Sequence, residues 1–219
     1  MNCLDTSLPS PEALEDWNNQ WDTNKKLRSY RDQEAALTWL FKTYPKNTDL
    51  NQVLIKVTAL DALYSTRIYH ITETARHIIE LKDFDKRVQE GDLSLVRALA
   101  VFKVKLHTNK RNPDEKADKS TREKHIFSFA SKYCSWHNPD VYPIYDSKVR
   151  DKLRSFKNNP KSGLTYKNGS LDTYEGFCKA ITELRDKFCL GPSMKRIDRY
   201  LWTWAKSGEG KANESNPSS

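Results

Sequence analysis

The stretch FSFASKYCSWHNPDVYPIYDSKVRDKL, Phe127 to Leu153, reads as a buried helix, a proline-bearing turn and a second helix. Ile126, Phe127, Ala130, Tyr133 and Cys134 recur at helical spacing and give the first helix an apolar face. His137-Asn138-Pro139 ends it, because proline cannot continue the hydrogen-bond ladder. Val141-Tyr142-Pro143-Ile144-Tyr145 follows, short, apolar and aromatic. Asp146 and Ser147 then stand where capping residues stand, ahead of Val149 and Leu153. A carboxylate in that place is fixed by packing on both sides and lies at the positive end of a helix dipole. Helix capping alone would account for an aspartate there.

Working outward, amphipathic segments follow one another with short breaks. Pro11 to about Trp21 starts after Ser10 with proline at an N1-like position. Asp32 to Tyr44 carries Ala35, Ala36, Trp39, Leu40 and Phe41. Thr48 is the expected cap of a helix bearing Leu50, Val53, Leu54, Val57, Leu60 and Leu63. Ile71 to Leu81 and Leu93 to Leu106 read as two more helices. Beyond the central stretch, Asn158 to Ser170 is a polar loop, Ser170 caps a helix ending near Phe188, and Met194 to Lys206 is the last. No stretch alternates convincingly at period two, so the expected fold class is all-α. Residues 1–206 are expected to form one helical domain, followed by a small, polar, disordered tail over 207–219.

Composition narrows the function. The net charge of +8 is concentrated: Lys103 to Lys161 holds fifteen Lys/Arg against seven Asp/Glu, an excess equal to the whole net charge. A basic patch flanking a carboxylate suits a polyanion, through release of counterions; a merely solvated lysine-rich face is the plain alternative. No apolar run is long enough to span a membrane, and the N-terminus has no signal-peptide pattern. Cys3, Cys134, Cys178 and Cys189 lack CxxC spacing and are expected as free thiols in a reducing cytoplasm. His70 and His77 share a helix face without a third ligand, so no metal and no cofactor is expected. The expected molecule is a cytoplasmic monomer.

The central stretch resembles the segment that carries the catalytic aspartate in the helix-hairpin-helix DNA glycosylases, the endonuclease III and 8-oxoguanine glycosylase superfamily. There a helix runs into a turn ending in proline or valine, an aspartate follows, and the next helix has the form VDxHVxR. Pro143-Ile144-Tyr145-Asp146-Ser147-Lys148-Val149-Arg150 stands in that register. Leu60 to Thr72 is similar to the helix junction that pushes into DNA where the damaged base leaves, with Ser65, Thr66 and Arg67 in the polar patch. The resemblance covers roughly Leu50 to Leu153 and is nearest to a divergent bacterial group with an 8-oxoguanine glycosylase-like fold.

The resemblance implies two helical lobes around a central cleft, with the terminal helices packing together in one lobe. It implies hydrolysis of the N-glycosidic bond of a modified base in DNA. Asp146 is then the catalytic carboxylate; Lys132, in the helix before the turn and out of the superfamily's lysine register, could lean toward the cleft and is the second candidate catalytic residue. Ser65, Thr66, Arg67, Lys124, Lys148 and Arg150 become candidates for DNA contact. Trp136, Tyr142 and Tyr145 are candidates to stack on an extruded base. Two departures limit the chemistry. The register of the lysine nucleophile reads Ile126, Phe127 and Ser128, and the place of the glycine-rich hairpin is held by the charged, glycine-free segment Asn109 to Lys119. Monofunctional hydrolysis is therefore expected rather than lyase chemistry. The alternative is a catalytically inactive relative that keeps the fold to bind nucleic acid or a protein.

Overall fold

The computed structural model describes residues 8–105 and 121–213. The chain is predominantly α-helical. In order come α1 (Pro11–Thr23), α2 (Arg28–Thr43), α3 (Leu50–Tyr64), α4 (Ile71–Glu80), α5 (Phe84–Glu90), α6 (Ser94–Ala100), strands β1 (Val101–Lys105) and β2 (Thr121–His125), then α7 (Phe127–His137), α8 (Ser147–Asn158), α9 (Tyr174–Lys187) and α10 (Met194–Asn213).

The caps explain most boundaries. Ser10 accepts a hydrogen bond from the Ala13 amide, and Pro11 takes the first turn of α1. Asp49, rather than Thr48, caps α3 by accepting from Gln52 N. Thr173, rather than Ser170, caps α9, because Ser170 lies in a short 3-10 turn over Asn168–Asp172. Asp146 caps α8, its Oδ1 accepting from Lys148 N at 2.9 Å.

One expected helix is split. Leu93 to Leu106 does not continue as a helix: α6 stops at Ala100, and Val101–Lys105 pairs antiparallel with Thr121–His125, Phe102 opposite Lys124 and Val104 opposite Arg122. Val101, Phe102 and Val104 favour extended backbone, and Val104 is buried, so packing rewards the strand. The expected all-α character holds for the bulk of the described residues, to which the two paired strands add one small hairpin. Helix α10 also runs past Lys206 to Asn213. The remaining expected tail, 214–219, the charged segment Asn109 to Lys119, and Cys3 lie outside the described residues.

The core forms around α3, α6 and α7. Val53, Val57 and Leu60 of α3, the Leu95, Val96, Leu99 and Ala100 run of α6, and Ala130, Tyr133 and Cys134 of α7 are fully buried. Cys134 and Cys178 are buried free thiols, and burial pushes both pKa values up. The chain ends meet: Arg196 of α10 pairs with Glu15 of α1 at 2.6 Å, and Trp202 of α10 packs edge-on to Trp21, ring centroids 5.9 Å apart. Among the described residues no helix is long and apolar enough to cross a membrane.

Candidate active site

The turn between α7 and α8 is pinned residue by residue. Asn138 Nδ2 donates to Val88 O. Tyr142 is fully buried, and its hydroxyl donates to Asp92 O at 3.0 Å. Pro143 O accepts from the Tyr174 hydroxyl, Ile144 N donates to Asp198 Oδ2, and Tyr145 N donates to Ser131 Oγ, each at 3.0 Å. Asp146 follows directly, so the turn delivers its carboxylate to a fixed point with little entropy left to lose.

That point is the edge of a cavity of about 330 Å³, within the range of about 300–1,000 Å³ usual for small-molecule sites. Asp146, Lys132, Lys148 and Ser65 all line it. Lys132 is 4% exposed. Its ammonium donates to Ser128 Oγ at 2.7 Å and lies 5.3 Å from the Tyr64 ring centroid. Burial lowers its pKa, against the pull of the nearby Asp146 and Asp198 charges.

Sequence reasoning missed much of this cavity. Its aromatic wall is Trp21, Tyr30, Tyr64 and Trp202, not the expected Trp136, Tyr142 and Tyr145. Tyr145 packs on Phe177, centroids 5.1 Å apart, and its hydroxyl donates to Leu171 O. Trp136 lies under the Lys195 ammonium, 4.3 Å from its ring centroid. Those three side chains hold the turn and the core instead of walling the space. Arg150 is also engaged elsewhere, ion-paired with Asp172 at 3.2 Å and donating to the Tyr145 hydroxyl. Thr66, Arg67 and Lys124 line a separate, open groove.

The chief residue missed is Asp198. The arginines of α10 turn away from it: Arg199 bonds Glu34, and Arg196 bonds Glu15. Asp198 lines the cavity, with Oδ2 on the Ile144 amide and Oδ1 buried without a hydrogen-bond partner among the described residues. Burial raises its pKa to about 7; the Ile144 N–H, Lys195 and Lys132 work against that rise and Asp146 adds to it. The signal was present in the sequence. Lys195, Asp198, Arg199, Trp202 and Lys206 fall on one helical face, and all five line the cavity.

This geometry sets a pH dependence. A carboxyl whose folded pKa lies above its unfolded value stabilises the fold below the unfolded pKa and loses that contribution as pH rises through the folded one. Stability carried by Asp198 should therefore fall between about pH 4 and about pH 7. Asp198→Asn keeps an acceptor for Ile144 N and cannot ionise. Urea denaturation across that range should show a smaller fall for the variant than for wild type, and parallel curves would refute the assignment.

The comparisons agree with one another. The family HI_0787_N, described as an N-terminal domain, matches residues 12–141, a span that contains Lys132 and stops short of Asp146. An uncharacterized protein of Haemophilus influenzae is 34% identical over 160 residues, which is 73% of this chain and 69% of that relative. No solved structure matches. On the extent of both matches, the chain belongs to the HI_0787_N family.

Proposed function

We propose that this chain is a DNA N-glycosylase of the helix-hairpin-helix type, with two helical lobes closing on the cavity and α1 and α10 together in one of them. The supporting observation is the convergence of Asp146 and Lys132 on one aromatic-walled cavity. In this reading an extruded base lies against Trp202, Tyr30 and Tyr64, with its deoxyribose at Asp146. Breaking the N-glycosidic bond develops positive charge on the sugar, and a fixed carboxylate stabilises it, orients the attacking water and takes the proton that the water gives up as its oxygen bonds to the sugar. Asp198, half-protonated near neutral pH, can hand its proton to the departing base. Two carboxyls in unlike surroundings are a known way of dividing such labour.

A panel of oligonucleotides carrying modified bases, treated with alkali to reveal abasic sites, tests the reaction. Strand breaks after alkali, with no adduct on borohydride trapping, are the expected result for hydrolysis. One observation favours a covalent route instead: Lys132 is a buried amine of lowered pKa beside the reacting position. An adduct that vanishes in Lys132→Ala would make it the nucleophile. The inactive alternative draws on the empty lysine register at Ile126 to Ser128. Tight DNA binding with no base released from any oligonucleotide would establish it.

A further inference from the structure

The α3–α4 junction and the hairpin face each other across an open groove of about 430 Å³. One wall is Thr66 to Tyr69. Asp61 shapes it, its Oδ1 accepting from Thr66 Oγ1 and Ile68 N. Ser65, Arg67 and Tyr69 all have positive φ, between 51° and 59°, without being glycine. Left-handed backbone costs such residues about 1 kcal/mol or more each and tends to persist where function over-determines it. Tyr69 is 78% exposed, its aromatic ring beside the groove.

The other wall is β2. By two-residue alternation Arg122 and Lys124 share a face with their cross-strand partners Val104 and Phe102, the face turned to the body. Glu123 and His125 bond each other at 2.9 Å. Arg67, Arg122 and Lys124 thus line one groove from two elements, and none of the three has an ion pair among the described residues. Ser128 belongs to this groove and also holds the Lys132 ammonium. Ser65 lines the cavity and Thr66 the groove. Groove and cavity therefore adjoin along two edges.

We infer that this groove seats the phosphodiester backbone of a DNA strand, with Arg67, Arg122 and Lys124 on its phosphates, so that one nucleotide crosses the Ser65–Thr66 edge into the cavity. The inference rests on the glycosylase reading for its direction, and it gives the hairpin the backbone-gripping task for which the sequence offers no glycine-rich element. Positive side chains on a track, with an aromatic ring beside it, are the usual means of holding a strand.

The test is fluorescence anisotropy with fluorescein-labelled DNA, duplex and single-stranded, over a series of KCl concentrations. The protein carries Arg67→Ala, Arg122→Ala and Lys124→Ala together. A control carries Lys42→Ala, Lys82→Ala and Lys179→Ala, exposed cations that line neither space. The groove variant should bind at least about tenfold more weakly at low salt, with its log–log salt slope reduced by about 2 to 3. The control should keep the wild-type slope more nearly, and circular dichroism should show all three proteins folded. Equal behaviour of the two variants, or no DNA binding by wild type, overturns the inference. Tighter, groove-dependent binding of an RNA of the same sequence overturns the choice of DNA. Groove-dependent binding without base release sinks the glycosylase reading alone; base release with groove-independent binding sinks the groove alone.

Discussion

Asp146→Asn is expected to lower base release by about a hundredfold or more while leaving the fold and DNA affinity in place. The substitution separates two roles of one side chain. As a cap, Asp146 needs only an oxygen toward Lys148 N, at 2.9 Å, and the asparagine carboxamide supplies it. Lost charge at the helix N-terminus should then cost about 1 kcal/mol or less. As a catalyst, Asp146 needs a negative charge aimed at the sugar, and the carboxamide has none. Binding should persist because no groove cation is altered. The comparison is single-turnover base release against wild type on whichever oligonucleotide the panel identifies, with urea denaturation of both proteins. A variant that releases base at the wild-type rate leaves Asp146 as a cap and removes the residue-level case for a glycosylase.

The helices were legible because their apolar residues repeat at the right spacing. So was the placement of Asp146: a proline turn and a capping residue are local signals, and local signals survive folding. The hairpin was not legible, since β2, Thr-Arg-Glu-Lys-His, is wholly polar and becomes a strand only by pairing with β1. The cavity was half legible. Lys132 and Asp146 lie close in sequence and share a motif, whereas Trp21, Tyr30, Tyr64, Asp198 and Trp202 come from four helices, α1, α2, α3 and α10. Which aromatic ring meets which is decided by packing at long range. Tyr142 and Tyr145 misled because nearness in sequence to Asp146 is not nearness to the cavity. They sit on the side of the turn that faces the core, where their hydroxyls close backbone acceptors.

A lysine in the core spacing of α3 carries the second large effect. Lys56 falls one turn from both Val53 and Leu60 and is fully buried with them. Its ammonium donates to Tyr44 O and Lys46 O, at the C-terminal end of α2, and to Asn47 Oδ1 at 2.7 Å. The same Oδ1 accepts from the Tyr133 hydroxyl at 2.6 Å. Asn47 Nδ2 donates to Asp85 Oδ1 at 2.6 Å and meets His137 Nε2 at 3.2 Å. Burial, with the Lys56 charge nearby, pushes the His137 pKa down to about 3, so the ring is neutral and its Nε2 accepts. Asn47 thus links a buried cation to a carboxylate, and clamps α7, which carries Lys132 and Ser131, to the α2–α3 turn.

Asn47→Ala should cost about 2–4 kcal/mol, because it takes one of three acceptors from a buried ammonium and the side-chain acceptor from the buried Tyr133 hydroxyl at once. The pH dependence follows from Lys56. Burial lowers its pKa to about 8, partly offset by Asp85. A lysine whose folded pKa lies below its unfolded value of about 10.5 makes stability rise with pH between the two. Without Asn47 the ammonium loses a partner, its pKa drops further, and that rise starts at a lower pH. The deficit against wild type should therefore be widest below about pH 8 and narrow toward about pH 10. Urea denaturation of both proteins across that range measures it. Lys56→Met, which removes the charge and keeps the bulk, should flatten the alkaline rise and cost less than Asn47→Ala. A deficit under about 1 kcal/mol with no pH dependence would mean that α7 is held by its apolar contacts alone, and that the polar clamp contributes nothing to the position of Lys132.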